Sequence, residues 1–253
     1  MNEEARRRLA NDPPPWMYEF DLGDGIPTPL IAQELRSVHQ TRETLIFPLL
    51  DRLYPAGLEG TDCLDVACNE GYFGHLLVRR GARVKGIDVR EVNIRRARAV
   101  QEVLGLPREK LSFEVADFLD WNDAPGKYEV SLFLGILYHL DNPMGALRSL
   151  RRLTRTLAIV ETQFTRQRGP IVTGYGQTGV TRQTMAGLAV LVEEDKDVNN
   201  LAAHGTLSFL PNPEAAALML HAAGFSHVAR VEARPGLNPQ YVDGDRGVFF
   251  AWV

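Results

Sequence analysis

The feature that most constrains the fold is a regular alternation of apolar segments with amphipathic ones between residues 62 and 162. Five segments have the composition of buried strands: 62–67, 83–88, 111–115, 128–135 and 157–162. Helical spacing of apolar residues occupies the intervals at about 72–80, 91–104 and 143–153. This alternation predicts an α/β fold with a mostly parallel sheet and helices on both faces. Two further strands, expected at about 226–232 and 247–252, would make seven.

The N-terminal region departs from this alternation. Prolines and glycines within 1–30 argue against a long helix, so an irregular arm is expected, with aromatic residues available for packing. Helical spacing begins at Ile31, and Pro48 is expected to kink or divide that helix. The sequence therefore predicts an arm and a cap helix over 1–55.

A second departure lies at about 163–210, where glycines are frequent and a helical piece is expected near 181–191. An interruption of this length inside a compact domain is usually a lid or a binding loop. We therefore expect one main domain over 56–253 that carries an inserted lid.

Composition excludes several classes of protein. No apolar run reaches the roughly 18 residues that cross a bilayer, and the charged start MNEEARRRLA does not resemble a signal peptide. Cys63 and Cys68 are too few for a disulfide framework. The 28 basic and 32 acidic residues give a net charge of −4, which is not typical of a nucleic-acid binder. A cytoplasmic enzyme or binding domain without membrane contact is expected.

The most informative segment is CLDVACNEGYFGHLL, at residues 63–77. A buried strand ends at Ala67, small or polar residues form a tight turn, and a helix begins near Tyr72. Such a turn lets a cofactor approach the backbone closely, although a plain turn without a ligand is the alternative. The segment lacks G-x-G-x-x-G, but Ala67, Asn69 and Gly71 occupy the three places of a degenerate G-x-G-x-G.

This segment resembles the cofactor loop of class I S-adenosylmethionine-dependent methyltransferases. The resemblance implies a Rossmann-like methyltransferase fold with S-adenosyl-L-methionine as cofactor. It also implies that Asp65 holds the turn and the methionine amine, and that Cys68 is a small filler against the cofactor.

Acidic residues follow the next two strands. Asp88, with Val89 after it, lies about 20 residues beyond the loop, where a carboxylate can accept both ribose hydroxyls. Asp117 and Phe118 follow the third strand, where the resemblance implies an acid on the adenine amine and an apolar wall. Each acid alone could have the purely structural role of capping a strand end, but three acids at successive strand ends favour a cofactor site.

The fourth strand runs into FLGILYHL, which contains Gly135, Tyr138 and His139. Ligands bind at the carboxyl ends of strands in open α/β sheets, and in methyltransferases this position faces the reacting sulfonium. His139 is a candidate general base, with orientation of a loop as an equal alternative.

Four segments resemble the bacterial tRNA 5-hydroxyuridine methyl- and carboxymethyl-transferase group: DLGDGIPTPL at 21–30, GILYHLDNP at 135–143, IVET at 159–162 and LSFLPNPEAAALMLHAAGF at 207–225. The resemblance implies that Tyr138 lies beside the transferred group. The carboxymethyl branch uses a lysine and a tryptophan ahead of the cofactor loop. Residues 17–62 offer instead Arg36, His39 and Arg42, so S-adenosylmethionine itself is expected.

The expected reaction is methyl transfer to a hydroxyl or other heteroatom of a small-molecule acceptor. Lid residues expected to contact that acceptor are Gln163, Arg166, Arg168, Tyr175 and His204. The alternatives are a tRNA wobble-uridine enzyme, which the acidic net charge disfavours, and a non-catalytic nucleoside-binding module. No metal is expected, because the histidines lack short ligand spacings.

Overall fold

The computed structural model describes residues 3–13, 16–167, 186–192 and 207–253. Its main sheet has seven strands in the order β3-β2-β1-β4-β5-β9-β8. They are β1 Asp62–Val66, β2 Arg83–Asp88, β3 Leu111–Val115, β4 Tyr128–Leu134, β5 Thr154–Gln163, β8 His227–Val231 and β9 Arg246–Trp252. All neighbours are parallel except β9, which is antiparallel to both β5 and β8. The predicted seven-stranded, mostly parallel sheet is confirmed.

Helices cover both faces because successive strand residues point to opposite sides. Cys63 belongs to one core cluster and Leu64 to the other, and Leu132 and Phe133 divide in the same way. One core includes α2 Glu34–Leu53, α3 Tyr72–Val78, α4 Glu91–Val103 and the short α7 Pro239–Val242. The other core includes α5 Pro143–Leu153 and α6 Pro213–Ala222. Apolar faces on both sides of the sheet therefore stabilise the layered fold.

Two of these helices, α5 and α6, begin at Asn-Pro pairs. Asn142 accepts a hydrogen bond from the Gly145 amide at 2.9 Å, and Asn212 accepts one from the Ala215 amide at 2.9 Å. A proline follows each cap at the first helical position, where its missing N–H costs nothing.

The N-terminal region differs from the expectation in two respects. A helix α1, Glu3–Ala10, precedes the prolines, and Pro48 does not divide α2, which is one helix from Glu34 to Leu53. Burial of Phe47 and Leu50 on either side of the proline anchors α2 to the core. The arm itself packs tightly, with Trp16 entirely buried.

The prediction of a helix near 181–191 is wrong for the part of this range that the structure describes. Leu188–Val192 forms β6, which pairs antiparallel with β7, Leu207–Pro211, while 181–185 lie outside the described residues. The segment LAVLV is too short for a helix and rich in strand-favouring valine. Of the predicted lid at 163–210, only 163–167, 186–192 and 207–210 are described. Within the described ranges, no helix has the length and apolar composition needed to cross a bilayer.

Candidate active site

The loop between β1 and α3 has an unusual backbone. Ala67, Asn69 and Gly71 all adopt left-handed conformations, with φ of 52°, 50° and 80°. Such φ values are costly for residues other than glycine, and they cluster at functional sites. A Cβ at position 71 would lie 2.5 Å from Cζ of Phe113, so only glycine fits there. The left-handed backbone explains why these three positions follow a glycine spacing.

Asp88 ties the end of β2 to this loop. Its carboxylate accepts hydrogen bonds from the amides of Asn69 and Arg90, both at 2.9 Å, and from Nδ2 of Asn93 at 3.1 Å. Burial raises the pKa of this carboxyl, against these hydrogen bonds. A carboxylate has about four acceptor sites, so room remains for a further donor. Oδ1 of Asn69 is buried and has no hydrogen-bond partner among the described residues. Both groups can therefore accept hydrogen bonds from a ligand.

A cavity of about 310 Å³ lies at the carboxyl ends of the parallel strands. Its size is within the range of small-molecule sites. The cavity brings together many of the residues singled out in the sequence: Ala67, Asn69, Asp88, Val89, Asp117, Phe118, Gly135, Tyr138 and His139. The ring of His139 lies 4.2 Å from that of Tyr138. The strand-end residues thus surround one common space.

Three loop residues do not line this cavity. Asp65 lies behind the loop, where its carboxylate accepts a hydrogen bond from the Gly74 amide at 3.0 Å. Burial raises the pKa of Asp65 to about 7. Cys68 is buried with its Sγ 3.0 Å from the position that a Cβ on Gly86 would take. Gly71 starts α3, so these residues shape the loop from behind.

The predicted lid contacts are not gathered at the cavity. Gln163 ends β5, and Arg166 is exposed and bonds to both carboxylate oxygens of Asp245 at 2.6 and 2.8 Å. Neither lines the cavity, while Arg168, Tyr175 and His204 lie outside the described residues. In the described part of the chain, no three His, Cys, Asp or Glu side chains come together as metal ligands would.

Sequence reasoning missed a buried group of charged side chains that lies next to Gly135. Glu161 has a fully buried side chain, with Oε2 2.9 Å from Nη2 of Arg42 and Oε1 3.0 Å from Nη1 of Arg246. The Tyr241 hydroxyl donates to Glu161 at 2.8 Å. Burial alone would raise the pKa of Glu161, but the two guanidinium groups hold it below its usual value. Glu161 itself could have been predicted as a site residue, because it lies near the carboxyl end of β5.

Sequence reasoning also missed Glu70, which holds the arm against the loop. Its carboxylate accepts hydrogen bonds from the amides of Met17 and Tyr18 at 3.3 and 3.0 Å. Nη1 of Arg96 lies 3.0 Å from the same carboxylate, and the Arg96 guanidinium covers the Trp16 ring at 4.6 Å. Met17 and Tyr18 line the cavity, so the arm forms part of its wall.

Among curated proteins, the chain is similar to the ubiquinone biosynthesis O-methyltransferase of Pseudomonas paraeruginosa (strain DSM 24068 / PA7), with 31% identity over 100 residues. That match covers 40% of this chain and 42% of the relative. The chain therefore spans less than half the length of this curated relative.

Two solved structures share the fold. The chain is similar to the N-terminal domain of EvdMO1 in the presence of SAH and D-fucose, with a TM-score of 0.72 and 20% identity over 100% of this chain and 97% of that one. It is also similar to Burkholderia thailandensis 1,6-didemethyltoxoflavin-N1-methyltransferase with bound 1,6-didemethyltoxoflavin and S-adenosylhomocysteine. There the TM-score is 0.54 and the identity 17%, over 86% of this chain and 84% of that one.

A family model described as a methyltransferase domain matches residues 38–229. This range contains the loop between β1 and α3, the strand ends around the cavity and most of the main sheet. It also covers more than half of the chain. The chain belongs to this family of methyltransferase domains.

Proposed function

We propose that this protein transfers a methyl group from S-adenosyl-L-methionine to an oxygen, or another heteroatom, of a small-molecule acceptor. The observation that carries the proposal is the cavity at the strand ends, with Asp88 and Asp117 at the ends of successive strands and the left-handed loop beside them. Family membership supports the reaction class, and the fold supports the position of the site.

The residues present fit this cofactor. Asp88 has acceptor capacity left for the ribose hydroxyls, and the unpartnered Oδ1 of Asn69 offers a second acceptor. Asp117 and Phe118 would hold the adenine, while the backbone of the loop would hold the methionyl part. When bound, the cofactor supplies an electrophilic methyl group on a sulfonium. The main contribution of the protein is to hold the acceptor in line with that methyl, which can be worth about 7–11 kcal/mol.

Tyr138 and His139 occupy the part of the cavity assigned to the reacting groups. His139 can take the proton of an unactivated hydroxyl, because an imidazole titrates near neutral pH. Tyr138 would bound the acceptor and orient it. If the acceptor is already acidic, both residues act by positioning alone.

Oxygen is the preferred acceptor atom because a curated relative is named as an O-methyltransferase. The bound 1,6-didemethyltoxoflavin in a methyltransferase of similar fold supports a small molecule as the acceptor. Incubation with labelled S-adenosylmethionine and fractionated cell extract tests the acceptor class. We expect label in small molecules. Label in tRNA would support the wobble-uridine alternative, and tight cofactor binding without transfer would indicate a nucleoside-binding module.

Replacement of Asp88 by Asn tests the cofactor site. It removes a charge-assisted acceptor, which is worth about 1.5–3 kcal/mol, or roughly a 10- to 150-fold rise in the Kd for S-adenosylhomocysteine. Isothermal titration calorimetry measures this Kd, and thermal unfolding verifies the fold. The matched control is Asp62→Asn, because Asp62 starts β1 at the opposite end of the sheet and pairs with Arg83 in solvent. Equal affinity in both variants would contradict the assignment.

A further inference from the structure

The charged group around Glu161 leaves a buried positive charge at one end of the cavity. Arg42 and Arg246 both line the cavity and share a single carboxylate, that of Glu161. Two guanidinium groups and one carboxylate have a net charge of +1. Burial makes such an excess costly unless an anion joins it, because unpaired charges are poorly tolerated away from water.

Among the residues that the structure describes, no neighbouring acid balances this charge. Burial, with the nearby guanidinium groups of Arg42 and Arg246, lowers the pKa of His39 to about 3, so this imidazole is neutral at pH 7. The cavity acid Asp88 ends β2 and Asp117 follows β3, both on the side assigned to ribose and adenine. Glu70 is paired with Arg96, and Asp141 lies on the exposed rim.

The two arginines have different amounts of spare hydrogen-bonding capacity. All three guanidinium nitrogens of Arg42 have partners: Tyr241 Oη at 3.2 Å, Tyr18 Oη at 3.4 Å and Glu161 Oε2 at 2.9 Å. Nε of Arg246 donates to Gln240 at 2.6 Å, and its Nη1 donates to Glu161 at 3.0 Å. Nη2 of Arg246 has no hydrogen-bond partner among the described residues. Each nitrogen of Arg42 is already held by a protein partner, whereas Nη2 of Arg246 keeps both of its N–H donors for a ligand.

Tyr138 supplies a second donor beside Arg246. Its hydroxyl oxygen accepts a long hydrogen bond from Nη1 of Arg246 at 3.5 Å, and its ring lies 5.6 Å from that guanidinium. Within the described ranges, no acceptor bonds to the hydroxyl proton of Tyr138. An oxyanion between the two side chains would receive one bond from Nη2 and one from the hydroxyl, and charge-assisted bonds of this kind are strong.

We propose that the acceptor carries an anionic group, a carboxylate or a phosphate, which binds between Arg246 and Tyr138. The proposal rests on the proposed function, since it names the class of acceptor for that same cavity. Arg246 is then the specificity-determining residue. Glu161 and Gln240 are positioning residues that fix its guanidinium by accepting from Nη1 and Nε.

The test follows the Nε–H resonance of Arg246 by NMR in the full chain with labelled arginine, assigned by its loss in Arg246→Lys. Acetate, inorganic phosphate and neutral acetamide are titrated separately, with and without saturating S-adenosylhomocysteine. We expect a saturable shift with an anion and none with acetamide. A response to acetate alone identifies a carboxylate site, and a response to phosphate alone a phosphate site. No response to either anion, or an equal response to acetamide, overturns the proposal.

Variants separate acceptor recognition from cofactor binding. In Arg246→Gln we expect at least a tenfold weaker affinity for the anion and less than a threefold change in the Kd for S-adenosylhomocysteine. The matched control is Arg230→Gln, because Arg230 lies on the neighbouring strand β8 and does not line the cavity. A tenfold loss of cofactor affinity in Arg246→Gln would overturn the proposal, because Arg246 would then serve the cofactor carboxylate.

The two proposals fail in different ways. If the parent protein binds an anion at Arg246 but does not bind S-adenosylhomocysteine, the proposed function fails and the anion site stands. If it binds S-adenosylhomocysteine and the Arg246 resonance shifts with neither anion, only the proposed acceptor class fails. Should Arg246→Gln not fold, the anion titration of the parent protein decides the question alone.

Discussion

Asp65 shows how one enclosed carboxyl group sets a pH dependence for the fold. Burial raises its pKa to about 7, against the hydrogen bond from the Gly74 amide. The folded protein therefore binds a proton between about pH 4 and 7 that the unfolded chain has released. Stability consequently falls as pH rises through that range, by at most about 1.4 kcal/mol per pH unit for one proton.

The replacement Asp65→Asn should reduce this slope, since the amide oxygen can still accept from Gly74 and no longer titrates. Urea unfolding between pH 4.5 and 7.5 measures it. Burial also raises the pKa of Glu70 to about 7, so the slope should become smaller and not vanish. Asp62→Asn, at an exposed position, serves as the control. An unchanged slope in Asp65→Asn would show that Asp65 is ionised in the folded protein throughout.

His139 permits a second prediction at the residue scale. If the acceptor is an unactivated hydroxyl, His139→Gln should slow single-turnover methyl transfer by roughly 10²–10⁴-fold, because a positioned general base accelerates proton transfer by about that factor. Cofactor affinity should change little. The measurement spans pH 6–9, with Tyr138→Phe as the companion variant that keeps the ring beside position 139. A rate within a few-fold of the parent at every pH would reject His139 as the base.

At the scale of elements, Glu70 joins the arm to α4, because its carboxylate accepts from two arm amides and pairs with Arg96. Glu70→Ala leaves the Met17 and Tyr18 amides and the Arg96 guanidinium without their shared partner. Arg96 keeps hydrogen bonds to the carboxylate and the carbonyl of Asp12, so its charge stays paired. The expected cost is therefore that of buried donors left unsatisfied, about 1–3 kcal/mol. We expect urea unfolding to report this loss and calorimetry to report weaker binding of S-adenosylhomocysteine, because the arm lines the cavity.

The matched control for the arm is Glu59→Ala, which removes an ion pair with Lys110 from a carboxylate that is 73% exposed. Its effect should stay within about 1 kcal/mol, as for other surface pairs. If Glu70→Ala were equally mild, the arm would be attached mainly by its aromatic packing. The stacked pair Tyr18 and Tyr72, with ring centroids 5.0 Å apart, would then be the next element to replace.

Elements with strong local signals were predictable from the sequence, and others were not. The parallel strands and the helices between them follow from apolar runs and helical spacing, which are local properties. The helix expected near 181–191 failed at Leu188–Val192 because the strand there depends on pairing with Leu207–Pro211. Burial of Phe47 and Leu50 kept α2 continuous through Pro48, which local rules for proline do not anticipate.

At the scale of the whole molecule, the sheet order determines which residues of the site can be predicted from the sequence. Residues at the carboxyl ends of parallel strands meet at one edge of the sheet, where ligands bind in open α/β folds. This rule predicts that Asp88, Asp117 and Gly135 share one site, and all three line the cavity. The group around Glu161 joins side chains that are 119 and 85 positions apart in the chain. No local pattern connects such residues, because their contact depends on how α2 and β9 pack around β5.

The arm, the cap helix and the sheet share one core, so we propose that they unfold as a single unit. Trp16 is entirely buried in the cluster that also contains residues of α2 and β1. In a variant with Trp121→Phe and Trp252→Phe, Trp16 fluorescence reports on the arm while circular dichroism reports on the whole fold. We expect coincident urea midpoints, as two-state unfolding requires. S-adenosylhomocysteine at 100 times its Kd should add about 2.7 kcal/mol to both transitions.

Adding Glu70→Ala to the same variant provides the comparison for this last prediction. Without the Glu70 carboxylate that holds its amides, the arm should separate at a lower urea concentration than the sheet. The fluorescence and circular dichroism curves should then no longer coincide. Ligand would then shift the two curves by unequal amounts, because an arm that has separated no longer closes the cavity. If the curves already differ in the variant that retains Glu70, residues 1–55 form a unit of their own and ligand linkage to the arm should be weak.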